Sequence, residues 1–185
     1  MAHIGFDLDN VLYPLCEEIH EYLDSAGYEH DKTDPKWEVW EHYGLTEAQW
    51  QLIFARGIRD GAFFVDGEPP ESAMGVLAEF LSEGHHLYIV TSRNIEGAEL
   101  YARRQTFRWI YENLSIPWSG IIVSSNKAIL PFHSFIDDHT ANLEVVQNSG
   151  ILGVGFDQPW NQDWQGTRCK SLWEYYEIVA ESLEG

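Results

Sequence analysis

The chain has 185 residues, a length typical of one domain or of one domain with a small insertion. Hydrophobic residues make up 44% of it, which excludes an intrinsically disordered chain. There are 11 Lys and Arg against 30 Asp and Glu, a net charge of −19. Affinity for nucleic-acid backbones depends on basic side chains, so any phosphate bound here needs a local device such as a metal ion.

Cysteine content and hydropathy favour a cytoplasmic protein. Cys16 and Cys169 are too few for a disulfide framework or a zinc site, so we expect two packing residues in a reducing compartment. The apolar runs are far shorter than the roughly 18 residues that a membrane span needs. The N-terminus leads directly into a predicted strand and does not resemble a signal peptide. We therefore expect no membrane partner.

The first predicted element is a short buried strand over residues 3–8, which ends in acidic residues. Residues 15–68 differ from the rest because they are rich in tryptophan and have a helical pattern. One helix there is predicted to begin at Thr46, where Gln49 completes a capping box. The segment is expected to be a small helical module inserted after the first strand.

From residue 69 onwards, short apolar strands alternate with helices. Helices are predicted over 70–83, 96–113, 140–149 and 171–183, and strands over 86–91, 121–124, 134–137 and 151–156. This alternation predicts an α/β fold with a parallel sheet, built from residues 1–14 and 69–185. Ligands of such sheets bind at the carboxyl ends of the strands.

Polar clusters follow three of the predicted strands. They are Asp7-Leu8-Asp9-Asn10, Thr91-Ser92-Arg93 and Asp137-Asp138, with Lys127 ten positions before the last pair. Parallel strands would bring all three clusters to one edge of the sheet. Crowded carboxylates repel one another unless a cation lies among them, and ligation by oxygen alone favours Mg²⁺ over zinc.

Such a site suits phosphoryl transfer. Asp7 can attack phosphorus and form an aspartyl-phosphate. Asp9 can protonate the leaving alcohol and then deprotonate the hydrolytic water. Lys127, Mg²⁺ and the hydroxyls of Thr91 and Ser92 would balance the charge of the phosphoryl oxygens. Each cluster alone is commonly a turn or a helix start, so the argument rests on their combination.

These residues resemble the motifs of the haloacid dehalogenase superfamily of phosphatases, and within it the 5′(3′)-deoxyribonucleotidases. The similar segments are Phe6–Leu12, Gly61–Pro69 with Gly75, Val90–Ser92, Arg108-Trp109, Asn126-Lys127, Ile136–Asp138 and Phe156–Asn161. The resemblance implies a Rossmann-like core, a helical cap over residues 15–68 and dependence on Mg²⁺. It also implies removal of phosphate from nucleoside monophosphates.

The resemblance further implies how individual residues act. The metal would be held by the carboxylate of Asp7, the backbone carbonyl of Asp9 and the carboxylate of Asp138. Asp137 would not bind the metal itself but would contact the residues that do. Cap aromatics would sandwich the base, and the candidates for this contact are Trp37, Trp40 and Phe63.

Two departures from the family pattern stand out. Asn10 replaces a glycine, and asparagine tolerates the left-handed backbone conformation of such a turn. Arg93 replaces a proline and is expected to take over the cationic contact to phosphate.

The predicted function is thus a Mg²⁺-dependent phosphatase of (deoxy)ribonucleoside monophosphates, with a small molecule as its partner and homodimerisation left open. One alternative is a related phosphatase for another small phosphate or for a polynucleotide end, although the net charge argues against a polynucleotide. Another is a non-catalytic nucleotide- or phosphate-binding module. Such a module would not need a nucleophile and an acid two residues apart.

Overall fold

A computed structural model describes residues 1–29 and 36–184 of the chain. Strands and helices alternate through most of this length. The strands are β1 (His3–Phe6), β2 (His86–Thr91), β3 (Gly120–Val123), β4 (Ser134–Asp137), β5 (Leu152–Phe156) and β6 (Thr167–Cys169). The helices are α1 (Leu15–Ser25), α2 (Glu47–Asp60), α3 (Ala73–Ser82), α4 (Glu99–Asn113), α5 (Thr140–Asn148) and α6 (Leu172–Glu184), with 3₁₀-helices over Val39–Tyr43 and Pro159–Asn161.

The six strands form one parallel sheet in the order β3-β2-β1-β4-β5-β6. This confirms the predicted α/β class with a Rossmann-like sheet. The central strand β1 pairs with β2 on one side and β4 on the other, in a register that aligns Phe6 with Ile89 and Ile136. The segments that follow these three strands therefore begin side by side.

Apolar side chains cover the sheet. The Phe6 ring meets Phe80 of α3 and Tyr175 of α6 edge-on, at centroid distances of 6.1 and 5.5 Å. Gly5, whose position alternates with Phe6 along the strand, adjoins Phe135, and a Cβ there would lie 2.2 Å from that ring. Strand β1 is therefore fixed by close packing and gives a rigid base to the residues after it.

Between β1 and α3, the described residues of the 15–68 segment are helical or irregular. Thr46 and Gln49 form the predicted capping box at the start of α2. Trp50 and Phe54 of α2 pack with the buried Phe63 at centroid distances of 6.2 and 4.9 Å. The division of the chain into a core and a cap stays a prediction, although this segment has an aromatic cluster of its own.

Cys16 and Cys169 are both buried and unbonded to each other. Among the described residues, no helix is both long and apolar enough to cross a membrane.

Candidate active site

Asp7 directly follows β1, at the centre of the sheet. Its backbone N–H donates to the Ile136 carbonyl of β4 at 2.9 Å, which continues the ladder by one residue. Lys127 Nζ donates to Asp7 Oδ1 at 2.5 Å and to the Val90 carbonyl of β2 at 2.8 Å. The lysine is buried, so β1, β2 and the loop before β4 meet at this one carboxylate.

Three buried carboxylates lie together at this edge. Asp7, Asp137 and Asp138 each offer one oxygen, and the three oxygens lie within 4.8 Å of one another. Burial raises the pKa of Asp7 to about 7 even though Lys127 acts in the opposite direction. Burial, together with the charges of Asp137 and Asp7, also raises the pKa of Asp138. One ammonium does not neutralise three acids, so this cluster favours a further cation.

The hydrogen bonds of Asp138 leave one of its oxygens available to a cation. Its Oδ2 accepts from Asn10 Nδ2 at 3.1 Å and from Trp160 Nε1 at 3.2 Å. Its Oδ1 is buried and has no partner among the described residues. An unsatisfied buried carboxylate oxygen is costly, and beside Asp7 it fits a ligand of a hard metal ion.

Asp137 is occupied in a different way. The Asn142 amide donates to both of its oxygens, at 3.1 and 3.0 Å, and the His139 N–H donates to Oδ1 at 2.9 Å. These contacts hold the loop after β4 and suit the supporting role expected for Asp137.

Asp9 lies two residues beyond Asp7 and carries an ion pair. Arg93 Nη2 and Nε donate to Asp9 Oδ1 at 2.6 and 3.0 Å, and Nε also reaches Oδ2 at 3.3 Å. The guanidinium also donates to Thr106 Oγ1 at 3.3 Å, and the residue is only 2% exposed. In this structure Arg93 binds Asp9 instead of facing solvent, which differs from its expected role as a phosphate contact.

Thr91 is the last residue of β2 and Ser92 follows it, at the same edge of the sheet. Thr91 Oγ1 is buried and has no partner in the described part of the chain, whereas Ser92 is exposed. Both hydroxyls remain candidates for phosphate oxygens.

The three predicted base contacts lie in different surroundings. The Trp37 ring lies 4.7 Å from His139 and 6.0 Å from Trp160, beside the loop that carries Asp138. The half-buried Trp40 stacks on Trp50 at 5.9 Å with planes 10° apart. Phe63 is fully buried. Trp37 therefore lies next to the loop that carries Asp138, and the other two rings pack within the 15–68 segment.

Sequence reasoning missed several contacts of the site. It did not assign the hydrogen bond from Trp160 to Asp138, although Trp160 lies in one of the family-like segments. It also did not assign the rings of Tyr13 and Phe64 to Arg93, although Phe64 lies in the family-like segment Gly61–Pro69, because an apolar pattern does not separate a ring that packs on a cation from an ordinary core residue.

Comparisons with known proteins concern the fold and the family of the chain. Among solved structures, a haloacid dehalogenase-like family hydrolase from Streptococcus pneumoniae superposes with a TM-score of 0.63 at 17% identity, covering 96% of this chain and 98% of that one. A protein assigned as a phosphoglycolate phosphatase from Lactobacillus delbrueckii subsp. bulgaricus gives a TM-score of 0.66 at 11% identity, with 96% and 97% covered. A β-phosphoglucomutase from Clostridium difficile gives 0.54 at 13% identity, with 100% and 97% covered.

These structures share the fold of the chain at identities too low to assign a substrate. A search of curated proteins gives no match. One family model matches residues 1–183, nearly the whole chain, and its description is 5′ nucleotidase, deoxy (pyrimidine), cytosolic type C protein. With Asp7 at the carboxyl end of β1 and with Asp137 and Asp138 at that of β4, the chain belongs to this nucleotidase family.

Proposed function

We propose that the protein is a Mg²⁺-dependent phosphomonoesterase that dephosphorylates (deoxy)ribonucleoside monophosphates through an aspartyl-phosphate on Asp7. The observation that carries the proposal is the buried cluster of Asp7, Asp137 and Asp138 with Lys127 on Asp7. The family match over residues 1–183 supports the phosphatase class.

Asp7 is oriented for nucleophilic attack. Lys127 fixes Oδ1, and the backbone N–H of Asp7 is anchored to β4, so the carboxylate cannot swing away from the strand edge. The second oxygen can then form the bond to phosphorus while the bond from phosphorus to the ester oxygen breaks. The ammonium of Lys127 lies where it can also balance charge on a phosphoryl oxygen.

Mg²⁺ would be held by the carboxylates of Asp7 and Asp138 and by the Asp9 carbonyl, and it would supply the positive charge that the phosphoryl group and the acids require. Asn10 and Trp160 hold Asp138 Oδ2, so that the unpartnered Oδ1 is the oxygen presented to the ion.

Asp9 acts as the acid when the aspartyl-phosphate forms and as the base when water hydrolyses it. It gives a proton to the departing ester oxygen, which leaves as the neutral alcohol of the nucleoside. The resulting carboxylate then takes a proton from the water that attacks the aspartyl-phosphate, which releases inorganic phosphate and restores Asp7.

The nucleoside specificity rests mainly on Trp37. Its ring lies beside the carboxylate loop, and base stacking on an aromatic ring contributes about 1–3 kcal/mol. Trp40 and Phe63 pack against other aromatic rings, which favours a second candidate, a phosphatase for a small phosphate without a base.

One assay separates these functions. Release of inorganic phosphate is measured from deoxyribo- and ribonucleoside monophosphates and from sugar phosphates, with Mg²⁺ and with EDTA. We expect Mg²⁺-dependent release with nucleotides preferred. Preference for sugar phosphates would favour the second candidate, and nucleotide binding without turnover would favour the non-catalytic module.

A further inference from the structure

The Arg93 guanidinium is enclosed on several sides by groups other than Asp9. Its central carbon lies 3.8 Å from the centroid of the Phe64 ring and 4.3 Å from that of Tyr13. Cations at such distances are attracted to aromatic faces. Thr106 of α4 accepts a further hydrogen bond at 3.3 Å. The side chain is therefore fixed independently of the carboxylate that it binds.

Glu18 of α1 holds both enclosing residues. Tyr13 Oη donates to Glu18 Oε1 at 2.5 Å, and the Phe64 N–H donates to Glu18 Oε2 at 3.0 Å. Phe64 has φ of 66°, an uncommon conformation for an aromatic residue that persists only when the surroundings enforce it. The enclosure is thus a built arrangement that joins α1, the loop after α2, and α4.

We propose that Arg93 is the positioning residue for the acid–base group Asp9 and makes no contact with the phosphoryl group. This inference rests on the proposed function. Because the rings and Thr106 fix the guanidinium, its planar fork determines where the Asp9 carboxylate lies.

The ion pair also distinguishes the two oxygens of Asp9. Oδ1 accepts at 2.6 and 3.0 Å, whereas Oδ2 has only the longer contact at 3.3 Å. Oδ2 is therefore the oxygen that delivers the proton to the leaving group and later takes one from water. Arg93 stays protonated throughout and exchanges no proton.

The test uses the dependence of kcat/KM on the leaving group. A positioned acid matters little for p-nitrophenyl phosphate, whose leaving group departs as a stable anion, and matters greatly for a nucleoside 5′-monophosphate. For Arg93→Met we expect a loss of a few-fold with the aryl ester and of roughly 10²- to 10⁴-fold with the nucleotide, the range typical of general acid catalysis. An equal loss on both substrates, no loss, or a gain would overturn the proposal.

A double-mutant comparison separates positioning of Asp9 from any other role. In an Asp9→Asn background, Arg93→Met should cost little further activity towards the nucleotide, because the group that it positions is already gone. Additive losses would contradict the inference. The inhibition constant of inorganic phosphate should also be unchanged in Arg93→Met, and a marked weakening would show a direct phosphate contact instead.

Two further variants serve as controls for an effect of the substitution on folding. Arg93→Lys keeps the charge but lacks the planar fork, so it should show the same substrate-selective loss in a better-folded protein. Arg56→Met removes an exposed arginine paired with Asp60 and should leave both substrates unaffected. If wild-type protein hydrolyses no phosphomonoester with Mg²⁺, the proposed function itself fails. An active wild type whose Arg93→Lys variant shows no selective loss refutes only the role of Arg93.

Discussion

Among the acids in the described part of the chain, Asp7 is the one that pairs with Lys127 at the end of the central strand. We expect Asp7→Asn to abolish phosphate release, because the amide cannot attack phosphorus although its volume is nearly the same. Circular dichroism should show an intact fold. Asp66→Asn, at an exposed acid outside the three clusters, should keep full activity, and substantial turnover in Asp7→Asn would exclude the aspartyl-phosphate.

The raised pKa of Asp7 predicts how pH and Mg²⁺ act together. Burial raises this pKa from 3.8 to about 7, so between those pH values the metal-free folded protein binds more protons than the unfolded chain. The free energy of unfolding from this group is therefore greatest below pH 4 and is lost as pH rises through about 7. Mg²⁺ competes with the same protons, so it should raise Tm more at pH 8 than at pH 5.

Thermal unfolding with Mg²⁺ or EDTA at the two pH values checks this expectation. Asp138→Asn should lose most of the Mg²⁺-dependent rise in Tm, and Asp66→Asn should retain it. An equal rise at both pH values would argue against metal binding by the buried carboxylates.

At the level of elements, two tryptophans before α2 have different expected roles. Trp37 lies beside His139 after β4, so Trp37→Ala should raise KM for a nucleoside monophosphate roughly 5- to 150-fold, from about 1–3 kcal/mol of lost stacking. Turnover of p-nitrophenyl phosphate should barely change.

Trp40 serves as the matched control. It stacks on Trp50 of α2, so Trp40→Ala should lower Tm and affect both substrates alike. If Trp40→Ala instead raises KM for the nucleotide selectively, Trp40 and not Trp37 contacts the base.

The elements themselves could largely be predicted from periodicity and capping. The strands β2 and β4 match their predicted bounds, and the capping box of α2 is confirmed. Strand β6 was missed because its three residues at the sheet edge are too short for a pattern. Helix α4 begins at Glu99, three residues later than predicted, since the turn at Gly97 with φ of 76° precedes it.

The composition of the site was predictable, whereas its internal pairing was not. The parallel direction of the strands, which the alternation of strands and helices predicts, brings Asp7, Thr91 and Asp137 to one edge. The pairing of Arg93 with Asp9 depends on side-chain direction in two loops and on the conformation of Phe64, which no periodicity encodes.

For the whole molecule, the net charge of −19 opposes the approach of a phosphate dianion. Screening of this repulsion grows as the Debye length falls from about 30 Å at 0.01 M salt to about 10 Å at 0.1 M. With Mg²⁺ kept saturating, we expect kcat/KM to rise a few-fold over this range while kcat changes little. Steady-state kinetics in NaCl test this, and a fall in kcat/KM would indicate that local positive charge governs the encounter.

The central position of β1 also has a consequence for synthesis on the ribosome. Its partner β4 and the cluster residue Asp138 lie about 130 positions later in the chain, and Asn10 and Asp138 are 128 residues apart. At translation rates of about 5–20 residues per second, one edge of this central strand stays unpaired for on the order of ten seconds until its neighbour is synthesised. No nascent chain shorter than this span can hold the complete set of carboxylates. A metal ion that needs all three carboxylates can thus bind only after most of the polypeptide has emerged, and during that interval the apolar residues of β1 lack the partner strand that covers one of their edges.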